Sequence, residues 1–244
     1  MRTYIHELVD IIGHGRAEYL HHVTANWGPI GRPQRRQRCF GVWGTVGSTG
    51  RWPQVVNLWE YASWADLAHN FEVELTGPSL QDPHLAEWWA AAARLRSGGV
   101  DRILVAPDWS PTLDDLMATA GTRAGYAHEL IRCHPGAAPD LLDAVHDDGE
   151  AAYRSAGITL AGAFRRAMAA DDEVVLLWSF PDWPTWGAFE AAALEPSTEV
   201  SGWRARIAPG IAAWDRTLLV DAELSPLRTG RQPEESDRRP LGGD

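Results

Sequence analysis

The sequence predicts an α+β protein made of two duplicated ferredoxin-like units that close one barrel-like core within a single chain. Three observations predict it. First, the chain repeats itself. Tyr4-Ile5-His6-Glu7-Leu8 returns as Tyr126-Ala127-His128-Glu129-Leu130 at an offset of 122. Val55-Val56-Asn57-Leu58-Trp59-Glu60-Tyr61 returns as Val174-Val175-Leu176-Leu177-Trp178-Ser179-Phe180 at 119, and Trp64 returns as Trp183. Asp101-Arg102 returns as Asp215-Arg216 at 114. Offsets that shrink in one direction mean one unit with a few loop deletions. Second, apolar periodicity within each copy runs β-α-β-β-α-β with one added helix. Third, such a sheet has helices on one face only. Two units in one chain can therefore bury their bare faces against each other.

The elements follow in order. Residues 3–11 alternate and carry β-formers, so they read as a strand, broken by Gly13 and Gly15. Tyr19, Leu20, Val23 and Trp27 share a helical face over 16–27. Gly28, Pro29, Gly31 and Pro33 predict a loop. Strands are expected near 38–47 and over 54–61. Helices follow from Trp64 and over 84–97, the latter with Leu85, Trp88, Trp89 and Ala92 on one face; strand 100–106 ends the unit. The second copy repeats this with strand 124–133, helix 139–155, strands 159–168 and 173–180, helices 184–194 and 198–213, and strand 216–223. The expected boundaries are 1–108 for the first unit, 109–122 for a linker, 123–225 for the second unit and 226–244 for a flexible tail. The linker near Pro111 is expected to run over the outside.

Composition excludes several functions. The 244 residues are 45% hydrophobic and 23% charged, ordinary for a globular protein. A net charge of −11 argues against a nucleic-acid binder. No apolar run approaches the roughly 20 residues that span a bilayer. There is no lysine, so Schiff-base chemistry and a Walker-type phosphate lysine are excluded. Cys39 and Cys133 form no CxxC, which excludes a disulfide framework or a cysteine metal cluster, and two free thiols suit a reducing cytoplasm. The histidines show no HxH or HxxxH spacing, so a protein-only zinc site is not expected. No GxGxxG follows a strand.

Gly41-Val42-Trp43-Gly44, then Val55 to Tyr61, then Trp64-Ala65-Asp66-Leu67, with Glu7-Leu8 and Gly13-His14-Gly15 before them, resembles the NIPSNAP family of dimeric α/β-barrel proteins. The second copy keeps Glu129-Leu130, Pro135-Gly136 and Trp178, with Phe164 where the first has Trp43. The resemblance implies a fused pseudo-dimer of two barrel halves. Its superfamily includes cofactor-free monooxygenases, cyclases and haem enzymes, so it names no reaction.

Strand phase selects the candidate site. If Val56 and Leu58 face the helices, Asn57, Trp59 and Tyr61 face the lumen, and in the second copy Leu176, Trp178 and Phe180 do. Trp43 and Phe164 are expected beside them. These aromatics either fill the space or wall a lumen for a hydrophobic or aromatic substrate. The first half is the more polar, with Asn57 and Tyr61, although Thr45 stands where the second copy has Arg166. His6 and His128 are the paired candidates for a general base, with Tyr61 or Asn57 orienting an oxygen. Glu7 and Glu129 have the opposite phase and replace them if the phase is inverted. Arg32, Arg35, Arg36 and Arg38 form either a solvated loop or an anion gate.

The expected function is an enzyme of specialised metabolism. It would perform metal- and nucleotide-free acid/base chemistry (cyclisation, isomerisation or cofactor-free oxygenation) in the lumen. A haem enzyme on the same barrel and a non-catalytic ligand- or partner-binding protein are the alternatives. No nucleic-acid or membrane partner is expected, and a homodimer of such fused units is an open possibility.

Overall fold

The computed structural model describes residues 1–240. Eight antiparallel strands alternate with helices along the chain. The first half holds β1 (Thr3–Ile11), α1 (Arg16–His21), a π-helical turn (His22–Asn26), α2 (Gly28–Arg35), β2 (Arg38–Thr45), β3 (Gln54–Tyr61), α3 (Trp64–Glu74), α4 (Ala86–Leu95) and β4 (Arg96–Val105). A connecting helix α5 (Leu113–Ala118) follows. The second half holds β5 (Gly125–Cys133), α6 (Ala138–Ala144), a π-helical turn (Val145–Gly149), α7 (Glu150–Ser155), β6 (Thr159–Arg166), β7 (Glu173–Phe180), α8 (Trp183–Leu194), α9 (Glu199–Ile207) and β8 (Ile211–Asp221). A short helix α10 (Pro226–Thr229) lies in the tail.

Within each half the strands run in the ferredoxin-like order, β4-β1-β3-β2 and β8-β5-β7-β6. The halves join edge to edge, β2 with β8 and β4 with β6, so the eight strands form one closed barrel with no free edge. The duplication extends to detail. The π-helical turns fall at equivalent places, and the helices after β3 and β7 are capped alike. Ser63 Oγ accepts from Asp66 N at 3.2 Å, and Asp182 Oδ1 from Thr185 N at 2.7 Å.

The barrel interior is one hydrophobic cluster shared by the halves, with Tyr4, Trp43, Val56 and Leu58 from the first meeting Tyr126, Phe164, Val175 and Leu177 from the second. Two glycines make room for its largest rings. A Cβ on Gly41 would stand 2.2 Å from the Trp43 ring, and one on Gly162 2.6 Å from Phe164. Both lie where β2 and β6 bulge, which turns these rings inward.

Four expectations are corrected. The predicted loop at 28–35 is α2. Gly28 and Gly31 serve packing, because a Cβ on Gly31 would meet Gln37 Oε1 at 2.8 Å and one on Gly28 would meet Pro233 at 3.0 Å. Three of the four arginines in the basic run are committed to acids, and Arg32 is exposed. Arg35 is fully buried and pairs with Glu74 at 2.6 Å and Asp82 at 3.0 Å, Arg36 pairs with Asp66, and Arg38 pairs with Glu60 and Asp114. The connection after β4 does not merely cross the outside, since Leu113 and Leu116 of α5 join the interior cluster. The tail is held as far as it is described: Leu227 is 0% exposed in the same cluster, and Gln232 bonds both backbone groups of Cys39. Residues 241–244 lie outside the described residues. No helix among those described is long and apolar enough to cross a membrane.

Candidate active site

β1 and β5 bring His6 and His128 together inside the barrel, Nε2 to Nε2 at 2.9 Å, with the rings stacked at 5.0 Å. They are 1% and 4% exposed. One imidazole donates and the other accepts, which requires the accepting ring to be neutral. Burial holds His6 well below the usual histidine range, with His128 and Arg102 adding to the effect. Burial, then Arg102, lowers His128 to about 3. Both histidines face the lumen, as their phase predicts, but the lumen is filled. Trp43 and Phe164 are 1% exposed and pack as core around Tyr4 and Tyr126.

The phase expected for β3 and β7 is inverted. Val56, Leu58, Val175 and Leu177 point into the barrel. Asn57 sits opposite Glu7 of β1 and shares its helix-facing side, as do Trp59 and Tyr61. Leu176, Trp178 and Phe180 likewise face the helices of the second half. Tyr61 is fully buried; its hydroxyl accepts from Gln37 Nε2 at 2.7 Å, and burial raises its pKa, so it is a poor proton donor. The acid/base candidates on the helix side are the glutamates.

A cavity of about 210 Å³ lies between the first sheet and its helices. Glu7 and Trp59 form its floor, Tyr19 and Trp27 one wall, Trp88 and Trp89 of α4 another, and Arg96 and Asp101 of β4 its rim. The tryptophans form a cage, with ring centres 4.9 Å apart for Trp27–Trp88 and 4.7 Å for Trp88–Trp89. Trp59 Nε1 and Asn57 Nδ2 both donate to Glu7 Oε2 at 2.8 Å, so Oε1 is the oxygen left for a ligand. Asn57 also donates to the Tyr19 hydroxyl at 3.2 Å. Asp101 stands opposite Glu7 in the β1–β4 ladder. Burial, then the Asp101 charge, raises the Glu7 pKa, and the two hydrogen bonds partly offset this.

The second half shows the same frame filled. Trp178 Nε1 donates to Glu129 Oε2 at 3.0 Å, the counterpart of Trp59 on Glu7. Opposite Glu129 in the β5–β8 ladder stands Arg216, not Asp215, so the β4–β8 repeat is offset by 115 rather than 114. Arg216 Nε donates to Glu129 Oε1 at 2.8 Å, and its Nη1 donates to Glu190 at 2.9 Å. Its guanidinium lies 5.5 Å from the Phe189 ring centre and 5.7 Å from that of Trp214. Arg204 stacks at 5.2–5.6 Å on Tyr153, Phe189 and Trp214. Trp178 and Phe180 are core there.

Of the predicted site residues, the structure brings Trp59 to the cavity with Glu7, and it sets Asn57, itself fully buried, behind Glu7 as a hydrogen-bond donor. It places His6, His128, Trp43 and Phe164 in the barrel core, and Tyr61, Trp178 and Phe180 in the helix-facing layers. Sequence reading missed Trp27, Trp88, Trp89 and Asp101 as a group. The signal was an acid at 101 where the aligned second copy carries an arginine, hidden by the one-residue alignment error. No histidine, cysteine or methionine lines the cavity. Its one side chain of a haem-ligand type, Tyr19, is a hydrogen-bonded phenol whose pKa burial raises, so the cavity does not fit haem. Among the described residues no cluster of three His, Cys, Asp or Glu could hold a metal.

No family model matches the chain, and no curated protein matches it. Solved structures do. An anthrone oxidase-like protein superposes with a TM-score of 0.63 at 10% identity, over 93% of this chain and 94% of that one. A "putative monooxygenase" of Fusobacterium nucleatum gives 0.59 at 9% identity, over 91% and 93%. A NIPSNAP family protein of Agrobacterium tumefaciens is 23% identical over 43% of this chain and 95% of its own, with a TM-score of 0.38. The full-length likenesses show the fold, a dimeric α/β barrel formed within one chain.

Proposed function

We propose that this barrel is an enzyme acting on a small, flat, mainly hydrophobic ring compound in the first-half cavity, with Glu7 as general base. One observation carries the reading: Glu7 faces open space through one oxygen, whereas its twin Glu129 is neutralised by Arg216. A half-buried carboxyl with a raised pKa is a better base than a solvated one. The volume lies below the roughly 300–1,000 Å³ usual for drug-sized ligands, which favours a compound of one or two rings.

Cofactor-free oxygenation suits this site best. Glu7 takes a proton from an activated C–H, and the carbanion delocalises into its ring. Dioxygen is the oxidant: it adds to the carbon, and the protonated Glu7 returns its proton to the peroxide. Loss of the second C–H proton with hydroxide then leaves a carbonyl and water. The tryptophan cage orients the ring and keeps bulk water from the carbanion. Two proteins that share the fold carry names taken from oxygen chemistry, which supports this choice over cyclisation or isomerisation.

Oxygen uptake with a panel of phenolic and oxo-substituted ring compounds, with and without a cationic substituent, tests the reading. Glu7→Gln should abolish uptake and leave the melting temperature nearly unchanged. A normal rate in Glu7→Gln, or ring compounds that bind without turnover, would overturn it.

A further inference from the structure

The second half displays what its own version of the cavity holds. There a planar cation, the Arg216 guanidinium, lies on the glutamate that repeats Glu7, between aromatic faces. In the first half that arginine is Asp101, and the space beside Glu7 is open. The replacement removes a positive charge and adds a negative one at a single register position. The surrounding charges leave the change uncompensated. Glu74 is taken by Arg35 at 2.6 Å. Arg96 is the one cation on the rim, stacked 5.3 Å from the Trp89 ring centre. With Glu7 and Asp101 ionised, Arg96 balances one of them and one negative charge remains. In the second half, Arg216 pairs with both Glu129 and Glu190, and Arg204 stacks on the same Phe189 ring, so two cations stand with two acids.

We propose that the first-half cavity binds a planar organic cation, an aromatic ring bearing an amidinium, guanidinium or ring-ammonium group, with its charge between Glu7 and Asp101. Tryptophan faces attract such a cation through the ring quadrupole, most strongly where water is excluded. The proposal rests on the reading of this cavity as the ligand site and names the class of that ligand. A positively charged nitrogen also acidifies neighbouring C–H bonds, which is the activation a Glu7 base needs.

Benzamidinium and benzamide have nearly the same shape and differ in charge. Titrated against the full chain by tryptophan quenching at neutral pH, benzamidinium should bind about tenfold or more tighter than benzamide. Asp101→Asn should bring the two towards parity. Asp101→Arg should recreate the second-half arrangement on Glu7 and abolish benzamidinium binding. Equal affinities in the unaltered chain, or benzamidinium binding that survives Asp101→Arg in a protein with a normal melt, would overturn the proposal. The outcome is separable from the function reading, because a Glu7→Gln loss of oxygen uptake can stand while the charge preference fails, and the reverse.

Discussion

Glu7 and Glu129 are the same residue in one frame, and one neighbour divides their roles. Glu129 is fully buried and tied to Arg216, so removing its charge leaves that largely buried guanidinium with Glu190 alone. Glu129→Gln should cost about 3–5 kcal/mol in thermal or urea unfolding. Glu7→Gln removes a carboxyl that burial already disfavours and should shift the same measurement little. A comparable loss in both would refute the asymmetry. The two tryptophans divide likewise. Trp59→Phe deletes a donor to the charged form of Glu7 and raises its pKa further. A base works only when deprotonated, so the acid limb of the pH–rate profile should move up by about one unit. Trp178→Phe leaves Glu129 short of a buried donor and should cost about 1–3 kcal/mol of stability. Residue chemistry of this kind was half legible in the sequence. The repeat revealed the paired His6/His128 and Glu7/Glu129 and the more polar half, but nothing in it fixed which of them met open space.

At the level of elements, the strands were readable and their phase was not. β3 and β7 are buried on both faces, one against the barrel core and one against helices, so no polar alternation marks inside from outside. The ladder with β1 settles it by setting Asn57 beside Glu7, a pairing invisible to a strand read alone. α2 and the tail were misread for one reason: Gly, Pro and charge suggest loops, yet here glycines admit close neighbours and Arg35 is clamped by two acids. The tail therefore carries stability. Leu227→Ala, emptying a site at one end of the barrel, should cost about 2–5 kcal/mol by urea unfolding. A loss under about 0.5 kcal/mol would mean that the tail is only loosely attached.

For the molecule as a whole, the imidazole pair at the barrel centre ties the halves to pH. Both histidines are more easily protonated unfolded, near 6.5, than folded, where His128 lies at about 3. Their contribution is complete above about pH 6.5 and is lost as pH falls towards 3. Asp221, raised to about 6 by burial, acts in the opposite sense, so the pair must be isolated by substitution. Melting temperatures from pH 7 to 4 should fall more steeply in the unaltered chain than in a His6→Leu/His128→Leu variant. Equal slopes would show that the pair does not govern acid stability. The edge-to-edge joining of the halves in one polypeptide has another effect. A barrel made from two identical chains comes apart on dilution and writes every mutation twice, once in each cavity. Fusion frees barrel closure from protein concentration and lets one copy change alone. Aspartate and arginine codons differ at two or more bases, so position 101 and its counterpart 216 are separated by more than one base change. With both copies on one chain, a change at position 101 leaves the Arg216–Glu129 ion pair of the other half untouched.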